Sequence, residues 1–172
     1  RPGEPGALAR RGVLAVVADG MGGHQGGQVA SSLAIDRIRA SFLEVDELAP
    51  ITTLELAFQR ANEAVFSRAA ADEQLRGMGT TATAILLREG QVYVAHIGDS
   101  RAYRCSDNGV ARLTEDDTLV RKLVRDGTLS EEQAKNHPER NLLVNALGTK
   151  PIVKIAVFRC EKPVRAGEGF VL

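Results

Sequence analysis

The sequence predicts an α+β fold, a pair of helices followed by a succession of short antiparallel strands. Two observations carry that prediction. Apolar residues recur at helical spacing over residues 28–42 and again over 52–65. From residue 80 to residue 113 the pattern then changes to short strands separated by links of about two residues. A chain of 172 residues fits one domain, and a domain of that size buries about 70% of the surface its unfolded chain exposes.

Taken in order, residues 1–9 hold Pro-Gly-type breakers and read as a loop or tail. The continuous apolar run VLAVVA at 13–18 predicts a strand buried on both faces. It stops at Asp19-Gly20, and a loop containing Gly20, Gly22, Gly23, Gly26 and Gly27 is expected next. Over 28–42, Val29, Leu33 and Ile38 form an apolar stripe, with Arg37 and Arg39 turned to water. Thr52-x-x-Glu55 has the form of a capping box at the head of a second helix, whose buried face is Leu54, Ala57, Phe58, Ala61 and Val65. Both helices are expected on one face of a sheet.

Strands are expected at 80–87, 91–97, 101–105 and 110–113, joined through Glu89-Gly90, Asp99-Ser100 and the hairpin signal Asn108-Gly109. Such short links predict one antiparallel meander. Residues 114–141 are polar and read as two short helices, the second capped by Ser130-x-x-Gln133 and stopped before Pro138. A further strand is expected at 152–158, and the sequence stops inside an apolar run at 170–172, which reads as a truncation.

Composition narrows the function. Lysine plus arginine equals aspartate plus glutamate, which argues against broad capture of nucleic acid or of an anionic membrane. Few aromatic residues and no tryptophan argue against base stacking. Cys105 and Cys160 are too few for a disulfide framework and read as free thiols in a reducing compartment. No apolar run reaches the length of a membrane span, and no signal peptide pattern opens the chain. A soluble, cytoplasmic, monomeric protein is expected.

The segment DGMGGHQGG at 19–27 allows a phosphate cradle or a metal-binding turn. The dinucleotide fingerprint fails at Gln25, and the P-loop fails because Gln28 and Val29 stand where lysine and a hydroxyl are needed. What remains is an aspartate at a strand exit beside a glycine carbonyl, a donor pair suited to a hard cation. A plain Asx turn fits the spacing equally well. Asp99, in Gly98-Asp99-Ser100-Arg101, reads alone as an ordinary turn aspartate, and Gly79-Thr80-Thr81-Ala82 as a tightly packed strand start. His96 shares a strand face with Val92 and Val94 and reads as a packed sheet residue, while His137, before Pro138, reads as a surface one.

In succession, however, DGMGGH, GMGTTA, HIGDSRAYR, LTEDDTLV and HPERNLLVNALG occupy most of the chain in one order. That order resembles the bacterial metal-dependent serine/threonine phosphatases of the PPM (2C) type over residues 12–172. The resemblance implies a four-layer α-β-β-α sandwich of two antiparallel sheets flanked by helix pairs, incomplete here. It implies two divalent cations, manganese or magnesium, that activate water for in-line attack on phosphorus, and a third, weaker cation. By resemblance Asp19 bridges the two metals, the Gly20 carbonyl ligates one of them, and Asp99 belongs to the third. Ser100 and Arg101 look like supports of that turn. His24 is the candidate proton donor to the leaving group, against the alternative of a solvated loop histidine.

Residues 114–141 match the family's flap over the active site, and Asp116-Asp117 stands where the family usually has Asp-His. The family's upstream arginine and Asn-Glu-Asp segment, and its downstream Ser-Asp-Gly and Asp-Asn segments, have no counterpart in these 172 residues. The expected function is therefore metal-dependent hydrolysis of phosphoserine and phosphothreonine in proteins, acting on the substrates of a serine/threonine kinase. The alternatives are an inactive scaffold of the same fold, or a phosphate-binding module, which the missing P-loop lysine weakens.

Overall fold

The apolar run near the N-terminus forms β1 (Val13–Val17), the starting edge of a four-stranded antiparallel sheet in the computed structural model, which describes residues 11–44 and 48–172. The loop or tail expected over 1–9 lies outside the described residues. β1 alternates: Leu14 and Val16 pack into the core while Val13 and Ala15 are exposed. Burial on both faces, expected from the unbroken apolar run, is thus corrected, because only the helix side of β1 packs into the core and Val13 remains 53% exposed.

Beyond β1 the chain makes β2 (Gly20–Met21) and then α1 (Gly23–Glu44). The expected glycine loop is therefore mostly the first turns of a helix that begins five residues earlier than its apolar stripe suggests. Glycine is poor in helices, by about 1 kcal/mol relative to alanine, but close packing requires it here. At Gly27, inside the helix, a Cβ would come within 2.7 Å of the Gly20 carbonyl oxygen, and one on Gly20 within 1.8 Å of the Gly27 carbonyl oxygen.

The second helix, α2 (Pro50–Ala71), has Pro50 at its first position and Ala49 as N-cap, with no side-chain cap. The Thr52/Glu55 capping box does not form. Proline at the first helical position has no N–H to leave unpaired and presets the helical φ, so the cap moves three residues upstream, from Thr52 to Ala49. Thr53 instead donates its hydroxyl back to the Ala49 carbonyl at 3.1 Å.

β3 (Gly79–Thr80) pairs with β2, and after a break at Thr81 the strands β4 (Ala82–Arg88) and β5 (Gln91–Ile97) form a hairpin. β8 (Ala156–Arg159) completes the larger sheet in the order β1-β4-β5-β8. It is shorter than the expected 152–158. The Asn62 amide holds the carbonyls of Lys150 and Pro151, and Ile152 stays 86% exposed. A second sheet, in the order β7-β6-β9, contains β6 (Tyr103–Ser106), β7 (Gly109–Arg112) and β9 (Gly169–Val171). The single meander is corrected to two hairpins in two sheets. After Ile97 the chain leaves the first sheet at Gly98, whose φ of 105° and contact with Thr81 exclude a side chain.

Strand alternation divides the interior in two. Ala82, Ala84 and Leu86 of β4, with Ala95 and Ile97 of β5, meet Ala30, Ala34 and Ile38 of α1 and Leu54, Ala57, Phe58, Ala61 and Val65 of α2. The α2 stripe read from the sequence is the one buried, whereas in α1 the buried line runs through Ala30, Ala34 and Ile38 and leaves Val29 and Leu33 half-buried at its margin. On the opposite face Ile85, Val92 and Val94 pack with Ala102, Cys160, Phe158 and Phe170 between the sheets. Helix pair, sheet and second sheet thus make three of the four expected layers. Both cysteines are free, Cys160 buried and Cys105 half-buried.

Between the sheets' strands, residues 114–147 make an excursion carrying α3 (Leu119–Arg125) and α4 (Glu131–Lys135). Ser130 and Gln133 form the expected reciprocal capping box, and α4 ends ahead of Pro138. The excursion is tied at its base. Asp117 N–H donates to the Gly98 carbonyl at 2.7 Å, Val144 N–H donates to the Asp117 carbonyl at 2.9 Å, and Thr80 and Leu147 exchange two backbone bonds. Gly148 N–H donates to Asn62 Oδ1 at 2.8 Å, anchoring the exit to α2.

Candidate functional site

Strand register brings the two candidate aspartates to one end of the larger sheet. Val17 of β1 lies opposite Thr83 of β4, and Thr83 lies opposite His96 of β5. β1 and β5 therefore run the same way on either side of β4 and finish together, about 10 Å apart at two strand spacings. Asp19 follows the end of one and Asp99 the end of the other. The sequence does not show this approach, because it arises from pairing between residues about seventy positions apart.

Thr80 and Thr81 fill the gap between the two ends. The Thr81 N–H and the Thr80 hydroxyl both donate to the Asp19 carbonyl at 2.9 Å. Asp19 N–H donates to Thr81 Oγ1 at 3.0 Å, and Thr81 Oγ1 lies 2.7 Å from Ser100 Oγ. A continuous hydrogen-bonded bridge thus runs from the Asp19 backbone to the Asp99 turn. Read from the sequence as packing residues, these threonines also position the site.

The bridge leaves the Asp19 carboxylate exposed and without a hydrogen-bond partner among the described residues. Gly27 matters at the same place, since a Cβ there would come within 2.7 Å of the Gly20 carbonyl oxygen. Burial pushes the Asp99 carboxyl above its ordinary pKa, and the negative charges of Asp116 and Asp19 push the same way. Asp99 therefore sits where a cation would relieve both desolvation and repulsion. Among the described residues no group of three histidine, cysteine or acidic side chains is close enough to hold a metal by itself. His24 lies in the first turn of α1; its side chain is outside the described set.

The pair Asp116-Asp117 divides two tasks. Asp116 accepts from Arg101 Nε at 3.1 Å and Nη2 at 2.7 Å, and also from Arg112. That pairing raises the Arg101 pKa further above its already high value. Asp117 Oδ2 accepts from Gly98 N–H at 3.1 Å and from the Asn145 amide at 2.9 Å. The turn carrying Asp99 is thereby clamped to both ends of the excursion. Asn145, absent from the sequence reading, was not visible as a site residue because its partners are remote in the chain.

His96 is buried, facing the inter-sheet side with Val92 and Val94 as expected. It is not merely packed. Nε2 lies 2.9 Å from the Glu115 carbonyl and Nδ1 2.8 Å from Thr83 Oγ1. A carbonyl only accepts, so Nε2 carries the proton and the neutral ring accepts from Thr83. Burial holds the His96 pKa below its ordinary value, against opposing contributions from the Glu115 carbonyl, Asp117 and Asp116. His137 is half-buried and accepts the Glu139 N–H at Nδ1, away from this cluster.

A helix pair on an antiparallel sheet, a second sheet behind it, and carboxylates gathered at one sheet end are the architecture of the metal-dependent protein phosphatases. The profile of the family described as protein phosphatase 2C matches residues 7–158. The chain belongs to the protein phosphatase 2C family. It is 39% identical to the serine/threonine phosphatase stp of Listeria welshimeri over 149 residues, 84% of this chain and 59% of that protein. It is 37% identical to the serine/threonine protein phosphatase PstP of Mycobacterium tuberculosis over 163 residues, 92% of this chain and 30% of that protein. The crystal structure of the Mycobacterium tuberculosis phosphatase superposes with a TM-score of 0.78 at 37% identity, covering 91% of this chain and 66% of that one. A PstP catalytic domain in complex with two manganese ions superposes with a TM-score of 0.74 at 33% identity, over 91% and 64% of the two chains. The chain thus spans about three fifths of the length of the Listeria phosphatase.

Proposed function

We propose that this chain carries part of the catalytic centre of a protein phosphatase that hydrolyses phosphoserine and phosphothreonine with the help of divalent metal. The observation that supports it most is the convergence of Asp19 and Asp99 at one end of the sheet, within a chain of this family. The donors suit manganese or magnesium, being hard oxygens: a carboxylate without a partner among the described residues, a carboxyl with two negative neighbours, and the Gly20 carbonyl, beside which Gly27 carries no side chain. They fill only part of the shell, since such ions take about six oxygen ligands each.

In this reading Asp19 and the Gly20 carbonyl hold the two principal cations and Asp99 a third, weaker one. When bound, the metal would bring the pKa of coordinated water toward about 7, supplying a nucleophile at neutral pH. The protein's own contribution is position. The Thr80–Thr81–Ser100 bridge fixes the spacing of the two aspartates, and Asp117 fixes the backbone of the Asp99 turn. His24, in the first turn of α1, is the proposed proton donor to the departing alkoxide. Residues 114–141 act as the flap over the site, within a single phosphatase domain spanning 1–172.

Phosphoproteins made by a serine/threonine kinase are the proposed substrates, met in the cytoplasm by a monomer. Among the described residues no helix is long and apolar enough to cross a membrane. Manganese-dependent release of phosphate from a phosphothreonine peptide, compared with the Asp19→Asn variant, tests the reading. Turnover that requires manganese and drops at least about 100-fold in the variant supports it. Turnover indifferent to Asp19, or manganese binding without any turnover in the complete protein, would leave a scaffold of the same fold.

A further inference from the structure

The Asp116 carboxylate faces a second recess. Beside the Asp99 turn, a pocket of about 370 Å³ opens between Arg101, Arg112 and the two short helices of the excursion. Five cationic side chains line it, Arg101, Arg112, Arg121, Lys135 and Arg140, against two carboxylates, Asp116 and Glu131. In a chain of zero net charge this is a local excess of positive charge.

The pairing pattern shows which of these charges remain available. Arg101 and Arg112 share the single carboxylate of Asp116, so one positive charge is left over. Arg121 is held between Glu115 and Glu131, and the extra negative charge of that trio offsets the one left over on Arg101 and Arg112. Lys135 and Arg140 are exposed, and neither has an acidic partner among the described residues. The free charge therefore sits on the excursion side of the pocket, facing the pair that Asp116 holds in place. By contrast, the groove between α1 and α2 is lined by Arg37 and Arg60 against Glu44 and Glu63, and its charges balance.

Two features tie the pocket to the proposed reaction centre. Arg101 follows Asp99 by two residues, and the charges of both Arg101 and Asp116 act on the Asp99 carboxyl. A peptide whose phosphorylated residue reached the Asp19/Asp99 end of the sheet would carry its neighbouring residues past this recess. We propose that the pocket is an accessory anion subsite, which takes an acidic or second phosphorylated side chain next to the residue being dephosphorylated. The proposal rests on the phosphatase reading and adds a substrate preference to it. Arg101 and Arg112 form the fixed wall, preorganised by their shared carboxylate. Lys135 and Arg140 close on the incoming anion.

The test uses the complete protein that carries this chain, with manganese. Three phosphothreonine peptides would differ only beside the phosphothreonine, where they carry alanine, glutamate or a non-hydrolysable phosphonate analogue of phosphoserine. The anionic flank should raise kcat/KM by about tenfold through KM, an advantage that shrinks in 0.5 M salt. The double variant Lys135→Ala/Arg140→Ala should lose that advantage while keeping its melting temperature, its turnover of the alanine peptide and its turnover of p-nitrophenyl phosphate. The glutamate and phosphonate arms separate a carboxylate preference from a phosphate preference. Equal kcat/KM for the three peptides, or an advantage that survives in the double variant, would overturn the subsite. If p-nitrophenyl phosphate is not hydrolysed at all, the phosphatase reading itself fails. Fluorescence anisotropy with fully non-hydrolysable versions of the three peptides then judges the subsite alone: tighter binding of the anionic ones, lost in the double variant, upholds it, and equal binding rejects it.

Discussion

The two faces of the larger sheet are built from the same strands and differ in what they can do. Toward the helices, β4 and β5 present Ala82, Ala84, Leu86, Ala95 and Ile97, and each is almost completely buried. Away from the helices, the same strands present Ile85, Val92 and Val94 in the middle and Thr83 and His96 at one end. The helix face is apolar from Ala82 to Leu86 and from Ala95 to Ile97 and so contributes stability through burial. The other face gives up that uniformity where the carboxylate turns begin. Every polar group it buries must then be matched, and no buried side-chain nitrogen or oxygen among the described residues lacks a partner.

If the helix face is the stability face, its deepest residue should dominate any unfolding series. Phe58 is fully buried against the sheet, and Phe58→Ala should cost about 3–5 kcal/mol by urea denaturation. A loss below about 1 kcal/mol would show that the two faces contribute alike.

The polar end should respond less and differently. Thr83 has one hydroxyl proton to share between His96 Nδ1 at 2.8 Å and the Ser100 carbonyl at 2.9 Å. Thr83→Val keeps the shape and leaves both acceptors unpaired, which should destabilise by about 1–3 kcal/mol. Because the Ser100 turn adjoins Asp99, manganese affinity should fall in the same variant, whereas Phe58→Ala should leave it unchanged in the folded fraction. Titration calorimetry on the two variants separates the cases.

The smallest effect is the one with a pH signature. His96 is held neutral in the folded state, with its pKa below the unfolded value of 6.5. The unfolded chain therefore takes up a proton first as pH falls. The contribution of His96 is complete above about pH 6.5 and declines below it until the folded pKa is reached. Asp117 and Asp116 soften that decline by favouring the protonated ring. His96→Gln should flatten the slope of stability against pH in this window, as chemical denaturation between pH 5 and 8 would show.

Much of the helix face was legible in the sequence because its information is local. The spacing of Leu54, Ala57, Phe58, Ala61 and Val65 located the buried stripe of α2, and Asn108-Gly109 located the hairpin between β6 and β7. Ser130 and Gln133 announced their helix start in four residues. Local rules failed where a long-range contact overrode them. The glycines at 23, 26 and 27 read as a loop, although they lie in a helix, where Gly27 packs against Gly20 and Gly26 against Met78. Proline at position 50 displaced a plausible capping box. The site itself was half legible. Asp19 and Asp99 stood out through resemblance, but their approach depends on the β1-β4-β5 register, and the roles of Thr81, Asp117 and Asn145 depend on partners 19 to 62 residues away.

The tied base of the excursion has a consequence for how such a protein diversifies. The chain leaves the body at Asp117 and returns by Leu147 and Gly148, with backbone bonds to Gly98 and Thr80 and a bond to the Asn62 side chain closing the neck. Once the neck is closed, what lies beyond it is nearly free of the body's folding requirements. Doubling its length would add only about 0.6 kcal/mol of closure entropy. Exposed positions beyond the Thr118–Leu143 and Leu119–Leu142 ties, away from the buried Val120 and Ala134, can therefore be inserted, deleted or exchanged with little penalty. Selection is left a surface it can rewrite without rebuilding the sheet from which it projects.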